Sequence, residues 1–241
     1  MNARPTILRR YWPVLPTLLA LVWACSTPKP QQTEAEPAAL ADSAWVVLFD
    51  GTSLDGWRNY RADTLSPAWQ IEDGTLALTG PGGGDLITDK AYGGFELELE
   101  WKISEGGNSG LIYLVQESDS LSATYFSGPE MQILDDAAHA DADPKHLSGA
   151  NYDMHPCTEP AVKPAGAWNS VRLVVDHGKV EHWLNGKQVV AYEIGSPDWE
   201  ARLQQSKFTE WPAYGRATQG HIALQDHGNK VWFRNIRIRE M

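Results

Sequence analysis

The chain reads as an all-β protein, a sandwich of two antiparallel sheets with one short helix, and three observations predict this. Apolar residues recur with period two from Trp45 onward, tight-turn signals separate the runs, and a single stretch has the caps of a helix. The longest run sets Phe95, Leu97, Leu99, Trp101 and Ile103 against Glu96, Glu98, Glu100 and Lys102, one face apolar and one charged. Further strands are expected at 45–49, 75–78, 110–115, 130–134, 171–175, 180–184, 188–192, 221–225 and 231–239. Asn185-Gly186 joins two of these as a hairpin, since both residues tolerate positive φ, and Asp176-His177-Gly178-Lys179 suggests another. The helix is expected at 196–206, with Ser196 as N-cap, Pro197 in the first position and Asp198 in the first turn. About ten strands and one helix fit a two-sheet sandwich.

Composition narrows the function. The 241 residues are 42% hydrophobic and 21% charged, enough for a packed core and inconsistent with wholesale disorder. Twenty Lys+Arg against 31 Asp+Glu leave a net charge of −11, which repels phosphate backbones and argues against nucleic acid as a partner. Tryptophan, at 11, exceeds either tyrosine (8) or phenylalanine (5), and its flat face suits both sandwich cores and sugar rings.

Residues 1–24 read as a signal peptide: Arg4, Arg9 and Arg10 precede an apolar run too short to span a bilayer. Leu21-Val22-Trp23-Ala24-Cys25 resembles a bacterial lipobox, which implies lipidation of Cys25. Residues 25–43 are then a polar tether, and 44–241 the folded domain. Ser26 after the cysteine points to an outer-membrane or periplasmic address. Lipidation would leave Cys157 without a disulfide partner, and a lone cysteine beside Pro156 reads as incidental rather than nucleophilic.

Chemistry on such a fold sits on sheet faces or loops. In Ser127 to Asp136, alternation puts Glu130 and Gln132 on one face and buries Met131 and Ile133 on the other; no second acid shares the face of Glu130. His182 falls with Val180 and Leu184, and that apolar company suits either a core histidine or a partly desolvated base. His221, Ala223, Gln225 and His227 share a third face. The irregular stretch 135–167 holds His139, His146, Asn151, Tyr152, Asp153 and His155, a density that favours function.

Several motifs occur together and in order. They are Leu48-Phe49-Asp50-Gly51-Thr52-Ser53-Leu54-Asp55-Gly56-Trp57, Glu100-Trp101-Lys102-Ile103, Gly106-Gly107-Asn108-Ser109-Gly110, and Gly128-Pro129-Glu130 with Gln132-Ile133-Leu134-Asp135. Tyr152-Asp153, Glu181-His182-Trp183-Leu184-Asn185-Gly186, Ser206-Lys207-Phe208 and Gln225-Asp226-His227-Gly228 follow. This set resembles the bacterial 3-keto-disaccharide hydrolase domain family. The resemblance implies a concanavalin A-like jelly roll with a ligand cleft on its concave sheet. The implied substrate is a glycoside already oxidised at C3 by a separate sugar 3-dehydrogenase.

The ketone acidifies the C2 hydrogen, so the aglycone can leave from C1 through an enolate and water can add back. Such a route needs a base, an enolate stabiliser and an acid. His182 or His227 would be the base, and Glu130 the acid or a metal ligand. Lys207, Gln132, Gln225 or one divalent metal ion would stabilise the oxygen. Gln132, Gln225, Glu100, Asn108, Asp135, Tyr152, His146 and Trp183 are the expected substrate contacts. Two rival readings are a non-catalytic carbohydrate-binding module using Trp101, Trp183 or Trp232, and a conventional laminarinase-like glycosidase. The second is opposed by Gln132, which stands where that enzyme's strand carries an acid.

The anchor is directly testable. Cys25→Ser should release the domain from membranes or block its maturation; unchanged retention in the membrane fraction would exclude lipidation.

Overall fold

The computed structural model describes residues 44–241, so the expected signal peptide, Cys25 and the expected tether lie outside the described residues. Thirteen strands appear among those residues, in the order β1 Val46–Phe49, β2 Trp57–Asn59, β3 Trp69–Glu72, β4 Thr75–Leu78, β5 Leu86–Thr88, β6 Phe95–Ile103, β7 Asn108–Val115, β8 Glu130–Leu134, β9 Asn169–Asp176, β10 Lys179–Leu184, β11 Lys187–Glu193, β12 His221–Leu224 and β13 Val231–Glu240. One α-helix, α1 (Pro197–Leu203), starts where sequence places it, with the Ser196 side chain accepting from the Trp199 N–H.

The strands form two antiparallel sheets, the sandwich of a concanavalin A-like jelly roll. The larger has the order β11-β10-β9-β6-β13-β4-β3, with β1 added beside β13. The smaller runs β2-β5-β12-β7-β8. Strands β2, β3 and β5 are additions to the sequence reading; at three or four residues each they are too short for a period to emerge.

Alternation fixes which side chains meet between the sheets. Phe95, Leu97, Leu99, Trp101 and Ile103 of β6 join Leu111, Tyr113, Met131 and Ile133 of the smaller sheet in one core. The charged face of β6 turns outward, where cross-strand arginines answer each acid. Glu96 pairs with Arg172 and Arg239, Glu98 with Arg237, and Glu100 with Arg234.

Strand β8 is at the sheet edge, and the long 135–167 segment covers it. Gln132 N–H donates to Ala150 O (3.0 Å), Gly149 N–H to Gln132 O (2.9 Å) and Tyr152 N–H to Glu130 O (2.9 Å). Residues 149–152 therefore satisfy backbone groups that an edge strand would otherwise expose.

His182 is wholly buried on the inner face of β10, not in a cleft. Its Nδ1–H donates to Gly149 O (2.9 Å), which leaves Nε2 to accept from the Tyr113 hydroxyl (2.9 Å). Tyr192 completes this buried polar group through the same Tyr113 oxygen. The apolar company of Val180 and Leu184 had the core outcome as its consequence: the sheet alternation that buries them buries the imidazole too.

Burial holds His182 down to about 4, against 6.5 for a free imidazole. As pH falls below 6.5 the unfolded chain takes up a proton that the native core refuses until about pH 4. Stability therefore rises with pH across this window, by about 3 kcal/mol for this residue alone. Denaturant titrations from pH 4.5 to 7 should show a steeper rise for the wild type than for His182→Gln; equal slopes would refute the assignment.

Candidate active site

Outward-facing residues of the smaller sheet build the site. Within β8, Met131 and Ile133 enter the core, which turns Glu130 and Gln132 to the other face. On the neighbouring strand Gly110 lies in register with Gln132. A Cβ at Gly110 would stand 2.1 Å from Glu130 Oε1 and 2.8 Å from its Cδ, so only glycine leaves room for the carboxyl to lie across β7. Gln225, just past β12, joins the same patch through its N–H to Gly110 O (2.9 Å).

Side chains from the loops raise walls around this floor. The resulting cleft, about 360 Å³, is lined by Asn108, Glu130, Gln132, Gln225 and His227. Tyr125, Tyr152, Lys207, Phe208 and Trp211 complete it. Phe208 and Trp211 come from a 3₁₀ turn, Lys207–Glu210, and its exit; the Ser206 hydroxyl caps the turn by accepting from Phe208 N–H. Tyr125 comes from a second 3₁₀ turn, Thr124–Phe126, just before β8.

Several cleft groups lack a protein hydrogen-bond partner among the described residues. They are the Glu130 carboxyl, the Gln225 amide, the His227 imidazole and the Lys207 ammonium, which rests over the Tyr152 ring at 4.4 Å. Gln132 uses only its amide N–H, donating to Asn108 Oδ1 (3.0 Å), and keeps its carbonyl for the cleft. Unmet donors and acceptors converging in one depression are what a polar ligand would satisfy.

Burial raises the Glu130 carboxyl to about 8; the Lys207 charge opposes this and the nearby Asp85 charge adds to it. At neutral pH Glu130 is therefore mostly protonated and able to donate.

Residues 44–239 match the 3-keto-alpha-glucoside-1,2-lyase-like domain. The chain belongs to this family. It is 40% identical over 225 residues to a 3-keto-disaccharide hydrolase of Bacteroides thetaiotaomicron, covering 81% of this chain and 78% of the relative. Among solved structures, a candidate glycosyl hydrolase of Parabacteroides distasonis aligns with TM-score 0.77 and 35% identity over 83% of this chain and 95% of that one. A second from the same organism aligns at 0.65 and 29%, covering 83% and 100%.

Of the side chains that the family resemblance singled out, Glu130, Gln132, Gln225, His227, Lys207, Asn108 and Tyr152 are brought together in the cleft. His146 stands behind it, stacked on Tyr152 (4.6 Å) and bonded to Asp153 (3.0 Å). Asp135 is buried just past β8 and accepts from Gly106 N–H (2.9 Å), which is a loop-anchoring position rather than a cleft contact.

Three side chains lie elsewhere. His182 is in the core, while Glu100 and Trp183 are on the outer face of the larger sheet. There Glu100 is paired with Arg234, and Trp183 donates to Glu181 (2.8 Å) beneath Arg172. Strands β6 and β10 belong to the sheet that does not carry the cleft, which sets these residues apart from Glu130. Cys157 donates to Ser148 O (3.2 Å), and burial pushes its thiol up to about 12, far from a nucleophile's range.

Sequence reasoning passed over the aromatic rim of Tyr125 and Trp211, and it passed over Asp85. Asp85 accepts from Asp226 N–H (2.9 Å) and from the Thr124 hydroxyl, and it is close enough for its charge to act on Glu130. A second acid, from outside β8 and outside the cleft lining, thus acts on Glu130. Its signal was hidden because it directly precedes β5, a strand too short to show a period. Among the described residues no group of three or more His, Cys, Asp or Glu side chains is arranged to hold a metal ion.

A buried acid carries a stability signature. Between pH 4.5 and about 8 the native state keeps a proton on Glu130 that the unfolded chain releases, so this residue costs stability as pH rises through that window. The cost is about 4 kcal/mol at pH 8. Glu130→Gln should therefore melt higher than wild type at pH 8, by a margin that shrinks toward pH 5; a margin independent of pH would show that Glu130 ionises normally.

Proposed function

We infer that the chain cleaves glycosides whose sugar is already oxidised at C3, by elimination followed by hydration. The observation that carries this reading is a buried Glu130 with no hydrogen-bond partner among the described residues, sharing one cleft with His227, Lys207, Gln132 and Gln225 in a chain of this family; its burial favours the protonated form. The B. thetaiotaomicron relative named 3-keto-disaccharide hydrolase supports carbohydrate cleavage, and the chemistry of the side chains supports the finer route.

With His182 in the core, His227 is the histidine that faces the cleft and is assigned as base. It removes the C2 proton; the resulting enolate oxygen at C3 is stabilised by the Gln225 amide N–H or by the Lys207 ammonium, while Gln132, whose N–H is given to Asn108, offers its carbonyl to a sugar hydroxyl. The electron pair then forms the C1–C2 double bond as the C1–O bond breaks, and Glu130 gives its proton to the departing oxygen. Water adds oxygen at C1 and hydrogen at C2 of the unsaturated ketone, completing net hydrolysis and returning the protons. A glycosidase using two carboxylates has its one foothold in Asp85, yet that carboxylate is spoken for by Thr124 and Asp226.

The substrate comes from a separate sugar 3-dehydrogenase. We place the protein on the cell envelope, held by a lipid at Cys25.

Isotope exchange separates elimination from displacement, because only elimination touches C2–H. A 3-keto glycoside cleaved in heavy water should yield product deuterated at C2, above the exchange seen without enzyme. Unlabelled product formed faster than background exchange would exclude elimination. Glu130→Gln and His227→Asn should each lower kcat by roughly 10²–10⁴-fold.

A further inference from the structure

Glu130 divides the cleft into two chemically different halves. Along β7 and β8 toward Asn108, the lining groups are three amides and the His227 imidazole: Gln132 is in register with Gly110, Gln225 is bonded to the Gly110 carbonyl, Asn108 is bonded to Gln132, and the segment bearing His227 meets Asn108 through Asn229. In the other direction, past the Glu130–Ile112 register, the chain comes from the turn that carries Tyr125. There the rings close on one another. Trp211 lies 5.6 Å from Tyr125, 4.7 Å from Phe126 and 5.1 Å from Phe208. Among the lining residues this half has no amide and no carboxylate; its charged group is the Lys207 ammonium, which lies over the Tyr152, Phe208 and Trp211 rings and can donate but not accept.

The two halves suit two different parts of one substrate. A ring rich in hydroxyls and a ketone needs partners that both donate and accept, and amides do both. The group beyond the glycosidic oxygen meets ring faces instead, where each desolvated hydroxyl would lack a strong acceptor. The Glu130 carboxyl stands at the boundary, where the leaving oxygen must receive its proton. Resting on the glycoside-cleaving reading of this cleft, we propose that the half walled by Tyr125 and Trp211 is the leaving-group subsite and that it selects a flat aryl aglycone over a saturated or polyhydroxylated one. Tyr125, about 37% exposed, and Trp211 are then specificity-determining residues.

The test compares leaving groups of similar acidity, so that intrinsic reactivity does not decide the result. Benzyl and cyclohexylmethyl 3-keto-glucosides match in size but differ in flatness, and a 3-keto disaccharide supplies a hydroxylated ring. Wild-type kcat/KM should favour benzyl over cyclohexylmethyl by about five- to tenfold, the worth of one aromatic contact, and should favour benzyl over the disaccharide as well. Trp211→Ala and Tyr125→Ser should each lower the benzyl-to-cyclohexylmethyl ratio, whereas Gln132→Ala should lower both rates and leave the ratio unchanged. Should Trp211→Ala fail to fold, Tyr125→Ser, on an exposed side chain, decides the point.

Binding of unoxidised benzyl and cyclohexylmethyl glucosides, measured calorimetrically on the same proteins, reads the subsite without chemistry. If no 3-keto glycoside is cleaved yet benzyl binding is preferred and depends on Trp211 or Tyr125, the activity is wrong and the aryl subsite stands. Turnover or binding with a ratio near one, a ratio unmoved by both rim substitutions, or faster cleavage of the disaccharide than of the benzyl glycoside would overturn it.

Discussion

Everything at the site follows from laying one carboxyl across a neighbouring strand. Glu130 can fold back over β7 only because residue 110 has no side chain. The same placement takes the carboxyl out of water and raises its affinity for a proton. Had residue 110 been alanine, the glutamate side chain would have had to leave this position. One missing methyl thus permits the position in which burial favours the protonated form of the group that the proposed chemistry needs.

Charges around that carboxyl are balanced rather than paired off. Lys207 lowers the proton affinity of Glu130 and Asp85 raises it, but neither forms a hydrogen bond to it among the described residues. A direct salt bridge would fix the glutamate as an anion and remove its ability to donate. Lys207 rests over the Tyr152, Phe208 and Trp211 rings, and Asp85 is occupied by Thr124 and Asp226. The fold is less stable for holding an unpaired acid there, an expense common to sites arranged for function.

Much of this was legible in the sequence because a sandwich strand advertises its two faces. Alternation in β6 and β8 gave the core and the outward Glu130–Gln132 pair, and Asn185-Gly186 marked a hairpin that forms between β10 and β11. Period-two reasoning cannot say which sheet a strand joins. Glu100 and Trp183 have the right alternation for an outer face, but it is the outer face of the other sheet. For His182 the choice between core and base turned on whether Gly149 and Tyr113 would meet its two nitrogens, and those partners are 33 and 69 residues away. Tyr125 and Trp211 sit in or beside single 3₁₀ turns, which carry no periodic signature at all.

The strand that bears Glu130 and Gln132 is the last in its sheet, and residues 149–152 lie along its outer edge. That segment therefore has two duties: it brings Tyr152 to the cleft, and it keeps β8 from offering its backbone to another molecule. Loop exchange aimed at a new ligand preference would expose this row of amides and carbonyls, and the first symptom would be self-association through β8. Evolution of the cleft is consequently freer on the side of Tyr125 and Trp211, where the rim closes over side chains, than on the side where the rim is itself part of the sheet.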